Sequence, residues 1–338
     1  MMTRTVTRSV RLAARPKGFP TAEHFRFVEE ELPAPAPGTA LVENVLLSVD
    51  PYMRELMDAG WEIGEPLRYG RAVGRVLESR SPQFVPGDLV AHSEGWSTHA
   101  VVAPGQAGVR IVRPPAGIPL SAYLSVLGGT GLTAYVGVRE ILKLQAGESV
   151  YISAAAGAVG SVAGQIARVL GAGRVIGSAG SAAKVAYLTG ELGFDAAFDH
   201  HDGPVPELLA AAAPDGIDAA LEGVGGEHLE AAIGVTREFG RIAWVGAISQ
   251  YNSPDEPPAA PRNLYAVSDR SIHLRGYQVR HHLHLRPEAE EWLVPHLLAG
   301  RITSRETVVD GFDRVVDAFL GVLRGENTGK MLVRVAGE

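Results

Sequence analysis

Hydrophobic and polar positions follow two different patterns along the chain. From about residue 149 onward, short apolar runs are separated by glycine-rich turns and by stretches whose apolar residues recur at helical spacing. This alternation of strands and helices predicts a doubly wound α/β domain, in which helices cover both faces of a parallel sheet. The predicted strands are Val150–Ala154, Arg174–Gly177, Ala196–Asp199, Asp218–Leu221, Arg241–Gly246 and Ile272–Gly276.

The first part of the chain has short apolar stretches broken by Pro and Gly turns, with little helical period. This pattern predicts a mainly β domain over residues 1–125, followed by the α/β domain over 126–298. The tail, 299–338, ends in "TGKMLVRVAGE", an alternating strand with no place in a parallel sheet. We expect this tail to return to the first domain.

The first strand–helix unit contains a glycine-rich phosphate-binding motif, Ala155-x-Gly157-x-x-Gly160, with alanine at the first glycine position. The motif follows a predicted strand and opens a predicted helix, which is the context expected of a dinucleotide-binding turn. Gly157 lets the backbone approach a pyrophosphate, and the helix N-terminus offers free N–H groups to it. The alternative is a tight strand–helix turn without a ligand.

An NAD-binding fold carries an acidic residue about twenty positions after these glycines, where it binds the ribose hydroxyls. The corresponding positions here are Gly177 and Ser178, and Lys184 follows near the start of the next helix. A carboxylate would repel a 2′-phosphate, whereas Ser178 leaves room for it and Lys184 supplies a positive charge. The sequence therefore favours NADPH over NADH, unless Lys184 is simply a solvated helix residue.

Composition narrows the function further. The 338 residues have a formal net charge of −7, which argues against a nucleic-acid or anionic-membrane partner. The chain has no cysteine, which excludes disulfides, thiolate zinc sites and cysteine nucleophiles. No apolar run is long enough to span a bilayer. The arginine-rich first twenty residues could be read as a presequence, but the alternation of Val6, Arg8, Val10 and Leu12 favours an edge strand and a cytoplasmic protein.

Several longer motifs resemble one family. "LLSVDPYMRELM", "GWSTHAVV", "GGTGLTAYVGV", "AAAGAVGSVAGQIA", "VGAISQYN" and "GENTGK" occur in the order found in the zinc-independent medium-chain dehydrogenase/reductases. Within them, the chain is similar to the branch of prostaglandin reductase (leukotriene B4 12-hydroxydehydrogenase), plant double-bond reductases and bacterial curcumin reductase. The similarity runs from about Ser9 to Val335.

This resemblance implies a GroES-like catalytic domain, built from the N-terminal part and the tail, with a Rossmann domain between them. It also implies NADPH-dependent reduction of a C=C bond conjugated to a carbonyl, a coenzyme bound between the domains, and a homodimer formed through the Rossmann sheet. The substrate partner would be a small α,β-unsaturated aldehyde or ketone.

Carried over by motif, the resemblance also implies site residues. The pyrophosphate would be held by Gly157, Ala158, Val159 and Gly160, the 2′-phosphate by Lys184, and the adenosine would be faced by His200. The nicotinamide end would be lined by Val245, Gly246, Ala247, Ile248, Ser249 and Tyr251. The carboxamide would meet the backbone of Tyr277, Gln278 and Val279, and the side chain of Asn327 would close over the coenzyme. His200 stands where a tyrosine often occurs, and Gly223 where an asparagine is common. The segment "RHHLHLR" and Pro295 also depart from the family pattern.

Reduction of an enone needs a hydride donor close to the β-carbon and a group that stabilises negative charge on the oxygen as an enolate forms. Tyr52 and Tyr251 are the phenols that the resemblance places near the substrate, so we expect one of them to donate this hydrogen bond. Either one could instead be a packing residue. Glu222, at the end of a predicted strand, is either a core acid or a group that faces the cleft.

Other functions fit the sequence less well. A quinone reductase is opposed by "VDPYMR" and "GENTGK", and a non-catalytic NADPH-binding sensor by the retention of both phenols. An alcohol dehydrogenase is opposed by the absence of cysteine for its zinc. We expect no metal at His281, His282 and His284, because two of them point apart in an extended segment and no third ligand has suitable spacing. Trp61 and Trp96 are expected to pack within the β domain.

Overall fold

The computed structural model describes residues 5–253, 256 and 260–337. These residues form two compact units: the first combines the segments before residue 125 and after residue 305, and the second is continuous over 125–305. The segment "SPDEPPAAPRN", which we expected to form an irregular loop, lies in part outside the described residues.

The first unit begins with a β-rich segment. Its strands are β1 (Thr5–Leu12), β2 (Phe25–Leu32), β3 (Ala40–Val49), β4 (Ala72–Ser79), β5 (Leu89–His92), β6 (His99–Val102) and β7 (Arg110–Val112). β1 and β2 form an antiparallel pair, which confirms the strand expected for the basic N-terminal segment. Helix α1 (Met53–Asp58) follows β3 directly.

The second unit is built on a parallel sheet whose strands all overlap their predicted positions, although the fifth begins five residues earlier than predicted. They are β8 (Ser149–Ile152), β9 (Arg174–Ala179), β10 (Ala196–Asp199), β11 (Ile217–Glu222), β12 (Thr236–Trp244) and β13 (His273–Gly276). Their order across the sheet is β10-β9-β8-β11-β12-β13. This is the dinucleotide-binding order, in which the strand order reverses between the parallel neighbours β8 and β11.

Helices precede, connect and follow these strands. They are α2 (Gly129–Tyr135), α3 (Ala158–Val169), α4 (Ala182–Gly190), α5 (Val205–Ala212), α6 (Gly226–Val235), α7 (Tyr265–Asp269) and α8 (Arg286–Leu298). In α3, Val162, Ala163, Ile166 and Ala167 are buried, as the helical spacing predicts. Gly164 packs against the ring of Phe194 rather than against strand backbone, because a Cβ at this position would lie 2.2 Å from that ring.

The tail of the chain completes the first unit. It contributes β14 (Glu306–Asp310), α9 (Val315–Leu323) and β15 (Lys330–Arg334). β15 lies between β14 and β3 in a sheet of order β14-β15-β3-β4-β5-β7, with β6 also paired to β3. The alternating strand at the end of the sequence thus pairs antiparallel with β3, about 280 residues earlier.

An aromatic cluster forms much of the core of the first unit. Trp61 and Trp96 are fully buried, with ring centroids 5.6 Å apart, and Phe25 and Phe319 pack around them. The indole N–H of Trp96 donates to the carbonyl of Ser48 at 3.2 Å. This confirms that both tryptophans are packing residues.

One local prediction was wrong. The segment around His281 and His282 is not extended: it forms two short 3₁₀ turns, Val279–His281 and Leu283–Leu285, at the start of α8. Gly276 and the following turn end β13 before the histidines are reached. Among the described residues no group of three or more potential metal ligands is found, and none of the helices is long and apolar enough to cross a bilayer.

Candidate active site

The turn between β8 and α3 forms a cradle of backbone N–H groups. Gly157 is the N-cap of α3, with extended backbone (φ −81°, ψ 179°), and the first intrahelical bond runs from Ser161 N–H to its carbonyl. The N–H groups of Ala158, Val159 and Gly160 therefore have no acceptor within the helix. They are donors at the positive end of the helix dipole, which suits a pyrophosphate.

Glycine at position 160 is required by close packing. A Cβ there would lie 2.7 Å from the carbonyl oxygen of Ala154 and 2.7 Å from the Cα of Ala155. Ala154 itself adopts φ +46°, which turns the chain sharply out of β8. The contact holds the first turn of α3 directly on the strand, so the helix N-terminus has a fixed position.

The alanine at the first motif position has a structural explanation. Ala155 is fully buried, and its N–H donates to the carbonyl of Ser178 at 2.8 Å. A Cβ on Gly177 would lie 2.8 Å from the Cβ of Ala155. The methyl group of Ala155 thus occupies space that Gly177 leaves open on the neighbouring strand. Gly177 on β9 therefore provides the space that a glycine at position 155 would otherwise provide.

The predicted contact of Ser178 with the coenzyme is wrong at the level of its side chain. Ser178 lies within β9 and is fully buried, and its hydroxyl is 2.9 Å from the hydroxyl of Tyr151 and 3.4 Å from Nδ1 of His228. Burial raises the pKa of Tyr151 and lowers that of His228 to about 4, so this network consists of neutral groups. Successive strand residues point to opposite faces, and Ser178 points into the core.

Lys184 and His200 lie near the turn that follows β9. Lys184 is in the first turn of α4, where its N–H donates to the N-cap hydroxyl of Ser181. His200 follows β10, and its Nε2 would be 3.1 Å from a Cβ on Gly180. Burial lowers the pKa of Lys184 and, with the neighbouring His201, that of His200. In this fold the coenzyme ribose lies beside the end of the second strand, which is the position of Gly180.

Glu222 shapes the neighbouring turn. Its side chain is fully buried at the end of β11 and accepts N–H groups from Val224 at 2.9 Å and from Gly225 at 2.8 Å. Burial raises its pKa on balance, although these bonds act in the opposite direction. Glu222 is therefore a hydrogen-bonded core acid that fixes the chain at the point where the strand order reverses.

The loop after β12 is fastened to this turn. The N–H groups of Val245, Ile248 and Ser249 donate to the carbonyls of residues 222, 223 and 224 at 2.8, 3.2 and 3.1 Å. The loop over 245–251, with Gly246 and Ala247 in it, thus lies at the carboxyl edge of the sheet. Tyr251 folds back over it, since a Cβ on Gly246 would lie 3.1 Å from its hydroxyl.

The segment after β13 is fixed in a similar way. Tyr277 donates its N–H to the carbonyl of Trp244 at 3.0 Å and its hydroxyl to that of Thr133 at 2.9 Å. Its ring is buried, so a contact of Tyr277 with a ligand has to come from its backbone, whereas Gln278 is exposed and Val279 is half-buried. Apart from Ser178, the predicted coenzyme residues of this unit all follow the carboxyl end of a strand.

Tyr52 belongs to the first unit. It is the N-cap of α1 and is partly buried, and its hydroxyl donates to the carbonyl of Tyr69 at 2.8 Å. Burial raises its pKa to about 12. In the same unit, Asn327 donates its side-chain amide to the carbonyl of Gly329 at 2.7 Å. Both predicted residues therefore have local hydrogen bonds, and the phenol proton of Tyr52 already has an acceptor.

The sequence analysis missed a buried ion pair beside Tyr52. Nζ of Lys330 donates to Asp50 Oδ1 at 2.7 Å and to the carbonyl of Val49 at 2.8 Å. Both side chains are almost fully buried. Burial would raise the pKa of Asp50, but Lys330 and then Arg71 lower it on balance. Both partners stand in quoted motifs, "VDPYMR" and "GENTGK", but nothing in either motif indicates that they meet.

These contacts allow a test of how well a dinucleotide phosphate would fit. The N-terminus of α3 offers N–H donors without acceptors in the helix, Gly157 is partly exposed, and a Cβ at Gly160 would disturb the turn. No acidic side chain stands at the end of β9, and Lys184 lies one turn beyond it. The residues present fit NADPH.

Two family models match the chain. The model described as "N-terminal domain of oxidoreductase" covers residues 8–111, and the model described as "Zinc-binding dehydrogenase" covers residues 158–296. Since the sequence has no cysteine, the second match extends to the domain and not to a thiolate zinc site.

Known proteins match over nearly the whole length. Prostaglandin reductase 1 of Mus musculus is 41% identical over 322 residues, covering 94% of this chain and 96% of the mouse protein. The NADP(+)-dependent 2-alkenal reductase of Nicotiana tabacum is 38% identical over 88% of each chain. The crystal structure of CurA from Vibrio vulnificus in complex with NADPH superposes with a TM-score of 0.91 at 35% identity, covering 98% of this chain and 100% of CurA.

Proposed function

The chain belongs to the zinc-independent medium-chain dehydrogenase/reductases, in the branch of the prostaglandin reductases, and from this we infer that it is an NADPH-dependent enone reductase. The reaction reduces the C=C bond of an α,β-unsaturated aldehyde or ketone. The assignment depends above all on one observation: a helix N-terminus packed tightly on the sheet lies beside a strand end that has no acid but has a lysine nearby.

We propose a role for each part of the carboxyl edge of the parallel sheet. Ala158, Val159 and Gly160 donate N–H groups to the pyrophosphate, and Lys184 and His200 contact the 2′-phosphate and adenosine end. The loop over 245–251 and the backbone after β13 hold the nicotinamide. When bound, NADPH supplies a hydride to the β-carbon of the substrate.

The residues of the chain have to stabilise the enolate that forms. A phenol donates a hydrogen bond to the enolate oxygen, and the α-carbon then takes a proton from solvent. We propose Tyr251 as this donor, because it lies on the loop assigned to the nicotinamide. The hydroxyl of Tyr52 donates to Tyr69, so it would have to exchange this acceptor before it could donate to a substrate. We propose that Tyr52 contacts the substrate mainly through its ring.

A quinone reductase is the second candidate. It would use the same coenzyme on the same fold, but it is supported by no motif of this chain, whereas "VDPYMR" and "GENTGK" support the enone reductases. The third candidate function is a protein that binds the coenzyme without catalysing a reaction.

The experiment that tests the assignment follows oxidation of NADPH and NADH in the presence of alkenals, cyclic enones, quinones and saturated aldehydes. We expect turnover of enones with NADPH and none of saturated aldehydes. Turnover of quinones alone would instead indicate a quinone reductase, and the absence of turnover a non-catalytic protein.

We also propose that the protein is a cytoplasmic homodimer. The dimer is supported by β13, an edge strand of the parallel sheet with mostly exposed residues. The location is supported by the basic segment near the N-terminus, which is paired with β2 as part of the fold. Fractionation of cells that express a tagged protein tests the location.

A further inference from the structure

Arg71, the residue before β4, lies against the ring of Tyr52. Its guanidinium carbon is 5.6 Å from the ring centroid, within the range of a cation–π contact. Its side chain is 26% exposed. The charge of Arg71 is therefore held in place by an aromatic ring and remains partly open to solvent.

The charge of Arg71 is only weakly compensated within the protein. Its ion-pair partner is Asp50, but the two side chains are 3.9 Å apart, which is outside hydrogen-bond distance. Asp50 accepts its close bonds from other groups, namely Lys330 at 2.7 Å and the hydroxyl of Ser48. The negative charge of Glu306, on the paired strand β14, also acts to raise the pKa of Lys330.

The donors of Arg71 are correspondingly unused. Within the residues that the structure describes, its guanidinium forms no hydrogen bond with the protein. A guanidinium presents a planar set of N–H donors that matches a carboxylate in a two-point contact. A partly exposed guanidinium with open donors beside Tyr52 is suited to an anion on the molecule that contacts Tyr52.

We propose that Arg71 binds a carboxylate of the substrate, so that the enzyme prefers enones that carry an acid group a few carbons from the alkene. This inference rests on the proposed function, because it takes Tyr52 as a substrate contact. Arg71 then determines specificity and is not required for the chemical step. Neutral enones remain substrates, but they lack the ion pair with Arg71.

A matched pair of substrates tests this. We would measure kcat/KM with saturating NADPH for (E)-6-oxohept-4-enoate and for its methyl ester, which share the same enone and differ in charge. We expect the wild-type protein to prefer the acid by about tenfold, a factor that corresponds to about 1.4 kcal/mol. Arg71→Gln should abolish this preference through a higher KM for the acid, and Arg71→Lys should retain part of it. The preference should also weaken as ionic strength rises.

Arg75→Gln is the control, because Arg75 lies only four residues further on, within β4, and its loss should leave the acid-to-ester ratio unchanged. Equal kcat/KM for acid and ester in the wild-type protein would overturn the proposal. So would an equal loss for both substrates in Arg71→Gln, which would mean that Arg71 only positions Tyr52. Turnover of the ester tests the proposed function separately: if neither compound is reduced, the enone reductase assignment itself fails.

Discussion

At the scale of single residues, the 2′-phosphate contact proposed for Lys184 gives the most direct prediction. Removing the ammonium group with Lys184→Ala should raise the KM for NADPH and leave the KM for NADH little changed, because NADH has no phosphate there. Steady-state kinetics with both coenzymes measures this, with Lys17→Ala, an exposed lysine of the first unit, as control. An equal loss with both coenzymes would contradict the assignment.

A second residue-level prediction concerns the enolate. Tyr251→Phe removes one hydroxyl and keeps the ring, so kcat on an enone should fall by about tenfold or more, as expected for a hydrogen bond to developing charge. Tyr265→Phe, at an exposed tyrosine, should have no such effect. If kcat of Tyr251→Phe is unchanged, the hydroxyl takes no part in the reaction.

His92 gives a prediction for the pH dependence of stability. Burial lowers the pKa of His92 to about 4. Its ring is bonded as a neutral imidazole: Nε2 donates to the side-chain oxygen of Asn44 at 2.8 Å, and Nδ1 accepts from the backbone N–H of Glu94 at 3.1 Å. Between about pH 6.5 and pH 4 the unfolded chain binds a proton at this site and the folded protein does not. The free energy of unfolding should therefore decrease as the pH is lowered from about 6.5 to about 4, by about 3 kcal/mol from His92 alone.

Denaturant unfolding at several pH values measures this slope. We expect His92→Gln to flatten it, since glutamine does not titrate, while His273→Gln, at an exposed position, leaves it as it is. The same slope in His92→Gln as in the wild-type protein would show that this histidine does not contribute.

The residue scale is also where sequence reasoning was least successful. The position of Ser178 after the glycine motif was counted correctly, but the count does not say which side of a strand a residue faces. A shift of one residue along the strand decides whether a side chain faces the coenzyme or the core. Ser178 lies on the core side, where Tyr151 is its hydrogen-bond partner.

At the scale of elements, the packing of α3 against β8 controls the coenzyme cradle. Gly160→Ala would place a methyl group 2.7 Å from backbone atoms, so the helix has to move. We expect a loss of about 1–3 kcal/mol in the free energy of unfolding and weaker NADPH binding. Gly190→Ala in α4 is the control: a Cβ there meets nothing within 4 Å, and alanine should be neutral or slightly stabilising. Unfolding and coenzyme titration of both variants decide the matter, and unchanged NADPH affinity in Gly160→Ala would count against the cradle.

Elements were well predicted where their pattern is local. The strand Ala196–Asp199 was predicted with its observed bounds, because a short apolar run between turns within a strand–helix repeat indicates a parallel strand, even at the edge of the sheet. The turns after β13 were not predicted, because polar histidines carry no periodic signal and the packing of α8 sets their shape.

At the scale of the whole molecule, the proposed dimer has a test of its own. Leu264 and Tyr265, at the start of α7 in the segment that leads to the edge strand β13, are 46% and 80% exposed. If this edge pairs with a second copy, Tyr265→Asp should shift the mass measured by light scattering from dimer toward monomer, whereas Val85→Asp in the first unit should not. A wild-type monomer at all concentrations would refute the proposal.

The return of the tail to the first unit was expected from the sequence, but the particular strands and residues that meet there were not. Asp50 and Lys330 are 280 positions apart, and neither strand pattern shows that β15 inserts beside β3. One sequence contains no measure of which distant segments pair, so the buried ion pair emerged only from the folded chain.

The insertion of β15 between β14 and β3 also affects how the protein is made. While a ribosome extends the chain, residues 125–305 can already fold, because that unit is continuous. The earlier β segment must wait until residue 330 has emerged, on the order of ten seconds or more at usual rates of translation. During this delay Asp50 has no Lys330, and the Leu46–Val49 end of β3 lacks its partner strand on one side. We therefore expect newly made chains to need chaperones most while this early segment waits for its last strand.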